Sequence, residues 1–583
     1  EINCSMKNIL FTALCLTFLT TQSVMSQTKT VSLQFVETSD VHGCFFPYNF
    51  VTGKPMDGSM VRIHHYVEQA RQKLGRNVLL LDNGDILQGQ PICYWSNYVM
   101  TNEQNIAAKV VNYMKYDAQT IGNHDVETGH SVYDKWVNEV NCPVLGANVI
   151  DKNTKLPYLK PYTMFMRDGV KIAVIGLLTP TIPCWLNEKQ YAGLAFENMV
   201  VSAKEWVKHV KDVEHADLVI GLFHSGKEGG LVLDNNEEDA SARVAREVPG
   251  FDIIFYGHDH TIHNDWIINT AGQRVLTLDP SNNAINVAVA YVKMTYENGH
   301  LMHKDINGDI VSVRKEPMDE AMNSHFYNDI ERIKKYVSRR IGRFENSIST
   351  RESYFGNSAF VDFIHSLQLQ ITGAEISFNA PLALDSKIDA GEITVADMFN
   401  LYRFENQLYV LNMTGREIKG HLEESYDRWV NTMKGPEDHL LLLNEQSKGD
   451  QQRLGFKNYT FNFDSAAGID YLVDVTKPNG QKVKILKMSN GEAFDENKTY
   501  KVVMNSYRGN GGGDLIIKGA GIPKDKLNDR IIYQSPLDLR HYLMQEIERQ
   551  GSMSPKAGNN WKFVPEEWTV PAAKRDYKHI FGE

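Results

Sequence analysis

The stretch TIGNHDVETG, Thr120 to Gly129, follows the apolar-leaning run VVNYMKYDAQ. Directly after Gly122 it sets Asn123, His124, Asp125 and Glu127 almost side by side. Polar groups gathered at one strand end are costly to desolvate unless they hydrogen-bond or hold an ion. A solvated turn is the plain reading, and the surrounding sequence has to decide.

Outward from this loop, short β-branched runs alternate with helix-like stretches: VSLQFVE, VRIHHYVEQARQKL, NVLLLD, then VKIAVIGLL, SAKEWVKHVKDVE, DLVIGLF and DIIFYG. That cadence predicts an α/β domain whose strands are buried on both faces. Nearly every polar cluster follows one of the strands. ETSDVHG places Asp40 and His42 two apart, and in an extended segment such residues point to one side. LLLDNGDILQG turns at Gly84 to present Asp85, whose two oxygens can bridge two cations, while Asp82 supports the loop. The opening loop adds Asn123, whose amide oxygen suits a divalent ion, and His124 with a carboxylate, Glu127, three residues on. VIGLFHSG supplies His224, and FYGHDH supplies His258 and His260.

A single histidine is more often a hydrogen-bonded structural residue than a ligand. Five strand ends that together supply Asp, His, Asp, Asn and three more His are enough for two adjacent metals with open positions. Carboxylates, imidazoles and an amide without cysteine suit Mn, Zn, Fe or Co, and do not choose among them.

The formal net charge of −11 over 583 residues gives no broad basic surface for a nucleic-acid polymer, so an anionic substrate needs local positive charge such as metal ions. The length implies two to four domains. Met6-Lys7, the apolar run Ile9 to Leu19 and TTQSVMSQ have the layout of a secretory signal peptide over residues 6–26, cleaved before Gln27. That layout predicts export, to the periplasm, and no stable membrane insertion after cleavage; a retained N-terminal anchor is the alternative. The four cysteines after it, Cys44, Cys93, Cys142 and Cys184, have no zinc-knuckle spacing; in an oxidising compartment they are free to pair, with no connectivity readable.

Beyond the strand-rich half, Met322, Phe326, Ile330, Ile333, Val337 and Ile341 mark one face of an amphipathic helix over 317–343, with Glu331, Lys334, Lys335 and Arg339 on the wet side. It reads as a linker between an N-terminal domain, 27–316, and a second mixed α/β domain, 344–569. PAAKRDYKHIFGE, within 570–583, reads as a polar tail that is mobile at its end.

In their order, D-x-H, G-D, G-N-H-[DE], H and G-H-x-H resemble the calcineurin-like metallophosphoesterase family. The resemblance implies a sandwich of β-sheets flanked by helices. It makes Asp40, His42, Asp85 and His260 ligands of one divalent metal, and Asp85, Asn123, His224 and His258 ligands of a second. It also makes His124 and Glu127 the catalytic dyad, with Glu127 standing where relatives often have Asp. FNLYRFENQLYVLNMTGREIKGHLE, FNFDSAAGIDYLVD and VVMNSYRGNGGGD extend the likeness to the substrate-binding C-terminal domain of two-domain 5'-nucleotidase-type enzymes.

One branch of these, the 5'-nucleotidases, carries an Asn-Gly-Gly-x-Arg motif whose arginine grips the substrate; the matching place here, SFNAPLALDSKI, has none. DNGDILQG, FNFD and SYRGNGGG instead resemble the bacterial 2',3'-cyclic-nucleotide 2'-phosphodiesterase/3'-nucleotidases. On that likeness Phe461 and Tyr507, each expected in a loop-flanked strand segment, would stack on both faces of a nucleobase, with Asp514 a further substrate contact; core packing is the competing role of the two rings. The chemistry implied is hydrolysis of a nucleotide phosphoester, with two cations stabilising the attacking oxygen and the charge growing on phosphorus. The rivals are a 5'-nucleotidase with UDP-sugar hydrolase activity, and a nucleotide-binding module with a silent metal site.

Overall fold

In the run TKTVSLQFVET, Thr28–Thr38, exposure alternates with burial only at the start; from Leu33 onward every residue is buried. Such a strand is covered on both faces. The computed structural model describes residues 28–450 and 453–582; the proposed signal segment, 6–26, lies outside them. Thr28–Thr38 pairs in parallel with Val78–Asp82, which pairs in parallel with Ala118–Thr120, while the long hairpin Asn286–Glu297 and His300–Ser312 closes the other edge antiparallel. A second six-stranded sheet runs Ile262–Ile268, Arg274–Pro280, Ile253–Tyr256, Leu218–His224, Val170–Leu178, Tyr162–Arg167, with the middle four parallel.

The two sheets face each other across a core of Leu33, Phe35, Leu81, Val174, Ile220, Phe255 and Leu276, and helices cover both outer faces. The predicted α/β sandwich is the one observed. Parallel strands in each sheet carry their C-terminal ends to one edge, where ligands of such folds bind.

The segment expected as one linker helix is two helices, Glu320–His325 and Tyr327–Val337, broken at Phe326, followed by the strand Arg340–Phe344. The apolar face is as expected, but it divides between two cores. Met322, Phe326, Ile330, Ile333 and Val337 pack into the first domain, whereas Ile341 joins the second. The strand pairs with Gly391–Thr394 and Ser552–Met553, so the second domain begins within the stretch expected to be linker.

The second domain is built on a mixed sheet containing Ile376–Asn379, Thr499–Asn505, Gln407–Thr414 and Ile531–Asp538, with apolar cores on both sides. Thr414 caps the helix Gly415–Trp429 in a capping box with Glu417. The expected polar tail is helical as far as Phe581, in the helix Glu566–Phe581. Fully buried Asp576 fixes it by accepting from the Leu441 N–H and from His439. All four described cysteines are free. No helix of the described residues is long and apolar enough to cross a membrane.

Candidate metal centre at the domain seam

Thr38, Asp82, Thr120, His224 and Tyr256 end the central strands of the two sheets, and the loops after them supply the site. The first sheet contributes Asp40, His42, Asp85, Asn123 and His124; the second contributes His224, His258 and His260. The backbones meet closely: a Cβ at Gly122 would collide with Asp85 Oδ1, and one at Gly257 with Ser39 Oγ. This is why the G-N-H and G-H-D-H loops carry glycine there.

Extended alternation was expected to bring the D-x-H pair and the H-x-H pair each to one side; instead the backbone there is left-handed, and His258 and His260 part to different donor groups. Asp40, His42, Asp85, His258 and His260 all have positive φ, at 50°, 48°, 56°, 80° and 58°. Non-glycine residues held in that region cluster where surrounding structure over-determines them, as at ligand-holding sites.

Two groups of donors result. Asp40, His42 and His260 bring their ligand atoms within 4.8 Å of one another, and so do Asp85, His224 and His258. His42 Nε2 lies 3.2 Å from His260 Nε2, which lies 3.4 Å from Asp40 Oδ1. In the second group His224 Nε2 is 2.9 Å from Asn123 Oδ1 and 3.3 Å from Asp85 Oδ2. Ligand atoms about 2.0–2.1 Å from one ion at tetrahedral angles lie about 3.3 Å apart, so both spacings fit a shared cation. Asp40 Oδ1, fully buried, has no hydrogen-bond partner among the described residues. A buried carboxylate oxygen left open in this way fits a cation ligand.

The outer partners set which nitrogen each imidazole offers. His42 Nδ1 faces the Gln88 carbonyl and side-chain oxygens at 3.2 and 3.1 Å, and His224 Nδ1 faces the Asn83 carbonyl at 2.7 Å. Donation there leaves both Nε2 atoms for a metal. His258 is turned the other way, its Nε2 at 3.0 Å from Glu238 Oε1, which leaves Nδ1. Burial, reinforced by neighbouring His260, lowers the His42 pKa to about 4, so its imidazole is neutral, the form a cation would need. Asp40 and Asp85 are held below the usual carboxylate range although burial pushes the other way, Asp40 by His260 and His224 and Asp85 by His224 and His124.

His124 stands apart from both groups. Its Nδ1 is 2.6 Å from Glu127 Oε2, and its ring meets His42 edge to face at 5.6 Å. Burial alone would lower its pKa, but Asp85 and Glu127 raise it to about 9, so the ring is cationic.

Sequence reasoning passed over three residues. Asp125 accepts from the backbone N–H groups of Asp85, Ile86, Leu87 and Gly122 at 2.8–2.9 Å, tying the Asp85 turn to the G-N-H loop. Asn83 joins three strand ends, accepting from Thr120 and His224 and donating to the Phe223 carbonyl. Glu238 comes from a hairpin, Gly229–Leu233 with Asn236–Asp239. The position of Asp125 inside the G-N-H-D run was the available signal; Glu238 had none.

The second domain closes over this centre. Asn510 donates to the Trp185 carbonyl at 3.3 Å, and the Trp185 ring lies 5.7 Å from His258. Phe461 and Tyr507 are neighbours, but on helical turns, Thr460–Asn462 and Ser506–Gly509, instead of strand segments. Their rings meet at 6.3 Å and 84°, and Phe461 stacks on Tyr459 at 5.1 Å and 12°. An edge-to-face pair holds no parallel slot, so the expected two-faced clamp is not preformed. The reason lies beneath: Arg508 grips Asp464 with two bonds of 2.8 and 3.0 Å and the Phe461 carbonyl at 2.8 Å, fixing the two loops to each other. Asp514 is paired with Lys518 at 2.9 Å.

Residues 33–261 match the family model of the calcineurin-like phosphoesterase, and residues 340–518 that of the 5'-nucleotidase C-terminal domain. The trifunctional nucleotide phosphoesterase protein YfkN of Bacillus subtilis is 26% identical across 92% of this chain, which spans only 39% of that protein's length. A 2',3'-cyclic-nucleotide 2'-phosphodiesterase/3'-nucleotidase of Haemophilus influenzae is 24% identical, covering 92% of this chain and 88% of its own. A solved 5'-nucleotidase precursor from Thermus thermophilus superposes with a TM-score of 0.62 at 19% identity, over 92% of this chain and all of that one. A solved chain from Staphylococcus aureus reaches 0.74 at 21% identity, over 91% of this chain and all of that one.

Proposed function

Because the chain is a calcineurin-like phosphoesterase domain joined to a 5'-nucleotidase C-terminal domain, we propose that it is an exported, two-metal 2',3'-cyclic-nucleotide 2'-phosphodiesterase/3'-nucleotidase. The observation that carries the chemistry is the pair of donor groups at the domain seam, each with its ligand atoms within 4.8 Å. Asp40, His42 and His260 would hold one divalent ion and Asn123, His224 and His258 the other, with Asp85 between them. When bound, such ions supply the Lewis-acid charge that activates water and neutralises phosphoryl oxygens.

The protein's own groups do the rest. His124, cationic and oriented by Glu127, offers its Nε2 proton to a phosphoryl oxygen or to the departing ribose oxygen. Asp125 and Asn83 hold the ligand loops against rearrangement. Phe461 and Tyr507 would approach the centre from the second domain, a reading supported by the nearby Asn510, which donates to the carbonyl of Trp185, whose ring lies beside His258. A base entering there would rotate one ring from the edge-to-face arrangement to stack, a side-chain movement of ordinary cost. Hydrolysis of a 2',3'-cyclic phosphate would leave the 3'-phosphate, and a second hydrolysis would leave nucleoside and inorganic phosphate.

The absence of arginine from SFNAPLALDSKI favours this branch over 5'-nucleotidase action. The test is a panel of 2',3'-cyclic AMP, 3'-AMP, 5'-AMP and a UDP-sugar, each with Mn, Zn, Co and Fe. Preference for the first two is the expected result. Preference for 5'-AMP or the sugar nucleotide would transfer the protein to the other branch, and no phosphate release with any metal would leave a binding module.

A further inference from the structure

We propose that Trp185, carried beside the metal centre by the first-domain loop 179–190, is the contact for the ribose of a bound nucleotide. The inference rests on the functional reading above and adds a residue that neither the metal-ligand set nor the second domain's ring pair includes.

The loop, TPTIPCWLNEKQ, is joined to the centre at three points. At its start the Thr179 N–H donates to the carbonyl of His224 at 2.8 Å. At its end the Gln190 side chain donates to the carbonyl of Glu127, while its Oε1 accepts from the Asn187 N–H at 3.0 Å. Between these anchors the Trp185 ring lies 5.7 Å from the ring of His258, tilted by 47°. Pro180 and Pro183 remove backbone freedom from the loop. The N–H groups of Cys184, Trp185 and Leu186 bond back to Thr181 or Ile182 at 2.8–3.1 Å, and fully buried Ile182 seats this turn in the first core. The place of the ring beside His258 is therefore set by the first domain.

Trp185 rests in part against that core but stays half-buried, and its indole N–H has no hydrogen-bond partner among the described residues. An indole offers a flat apolar body and one donor. A ribose matches it, with C–H groups for the face and hydroxyl oxygens for the N–H. The position is also the one a ribose would occupy. On the reading above, the phosphoryl group is held at the donor groups that include His258, and the base at the loop that carries Tyr507. Asn510, three residues after Tyr507, donates to the Trp185 carbonyl at 3.3 Å. Trp185 thus meets the phosphate end with its ring and the base end with its carbonyl, and the sugar that joins those ends passes it. Lys189 of the same loop donates to Gln534 at 2.9 Å, a second point where this loop meets the second domain.

The experiment uses the metal-loaded full chain and its Trp185→Ala and Trp185→Phe variants, with 3'-AMP as substrate and inorganic phosphate as competing inhibitor. Trp185→Ala should raise KM for 3'-AMP about 5- to 100-fold, the range for losing one aromatic contact and one hydrogen bond. Metal content and the inhibition constant of phosphate, which has no sugar, should stay within twofold of wild type. Trp185→Phe, which keeps a ring and loses the donor, should fall between. A KM within twofold of wild type in Trp185→Ala would overturn the inference. So would metal content or phosphate inhibition weakening in step with KM, because the ring would then only brace His258. Should Trp185→Ala lose its fold, Trp185→Phe decides by the same twofold criterion. If 3'-AMP is not hydrolysed but 5'-AMP or a UDP-sugar is, with a KM that depends on Trp185, the functional reading fails and the ribose contact stands. If no nucleotide is hydrolysed, 3'-AMP binding in calorimetry replaces KM. If 3'-AMP is hydrolysed with a KM indifferent to Trp185, only this inference fails.

Discussion

Replacing Asp464 with Asn should loosen the second domain and its substrate loops by a calculable amount. Asp464 is buried, accepts the Arg508 fork at 2.8 and 3.0 Å, and accepts from His421 Nε2 at 2.8 Å. Burial raises its pKa, but Arg508 and His421 more than offset this and hold it at about 2. Against an ordinary carboxyl near 3.9, that gap corresponds to about 2–3 kcal/mol at neutral pH. Removing one partner of a buried pair typically costs about 3–5 kcal/mol, so the two routes agree on roughly 3 kcal/mol. The sign follows from the depressed pKa: the contribution is present above about pH 4 and is lost as pH falls from there toward 2. Wild type and Asp464→Asn should therefore differ by about 3 kcal/mol at pH 7 and converge below pH 4. Trp429, stacked on Phe463 at 5.5 Å and 5°, lies in the core beneath these loops. Its fluorescence in urea unfolding, read for the second domain's own transition, is the assay. A difference under about 0.5 kcal/mol at pH 7, or one that does not shrink with acid, would refute the reasoning, since surface changes alone give that much.

The other predictions concern the first domain and its contrast with the second. Asp85→Asn should lower metal content at both positions, measured by elemental analysis of the purified protein; normal content with normal phosphate release would remove the bridging role. His124→Asn should keep the metals while slowing turnover about 10²–10⁴-fold, read as rate per bound metal. Glu238→Gln should weaken metal affinity about 10–100-fold through the loss of its hold on His258, seen in chelator competition, and unchanged affinity would make Glu238 incidental. Phe461→Ala and Tyr507→Ala should each weaken 3'-AMP turnover by about 1–3 kcal/mol in kcat/KM while sparing a small aryl phosphate; equal loss on both substrates would return the rings to a packing role.

The fold was legible because its evidence is local and repeated. The alternation of β-branched runs with helical spacing announced both faces of the first domain, and the apolar face from Met322 to Val337 was readable residue by residue. What that spacing could not show is where the face is cut. Phe326 breaks the helix and Ile341 belongs to another core because of partners such as Gly391–Thr394 and Ser552–Met553, which lie far along the chain. The residues from 570 onward misled for the same reason. Their polarity fits a tail, but Asp576 is buried to hold Leu441 and His439, contacts more than a hundred positions distant.

At the site, the side chains that point inward were legible as types and their geometry was not. Asp40, His42, Asp85, His258 and His260 adopt left-handed backbone that carries no mark in composition, and that backbone, not strand alternation, turns Asp40 and His42 onto one donor group and sends His258 and His260 to different ones. It is affordable only where other bonds overrule it. Asp125 supplies four such bonds from one carboxylate, Asn83 joins three strand ends, and Gly122 and Gly257 let the loops touch. The same logic separates the two domains' contributions. In the first, buried carboxylates fix backbone so that ligands converge; in the second, Arg508 and Asp464 fix two loops while leaving Phe461 and Tyr507 half-buried and able to turn. On the proposed function, a rigid centre facing adjustable rings would hold the phosphoryl group in one place while the base is accommodated, which is what stepwise hydrolysis of a cyclic phosphate and then its monoester requires of a single site.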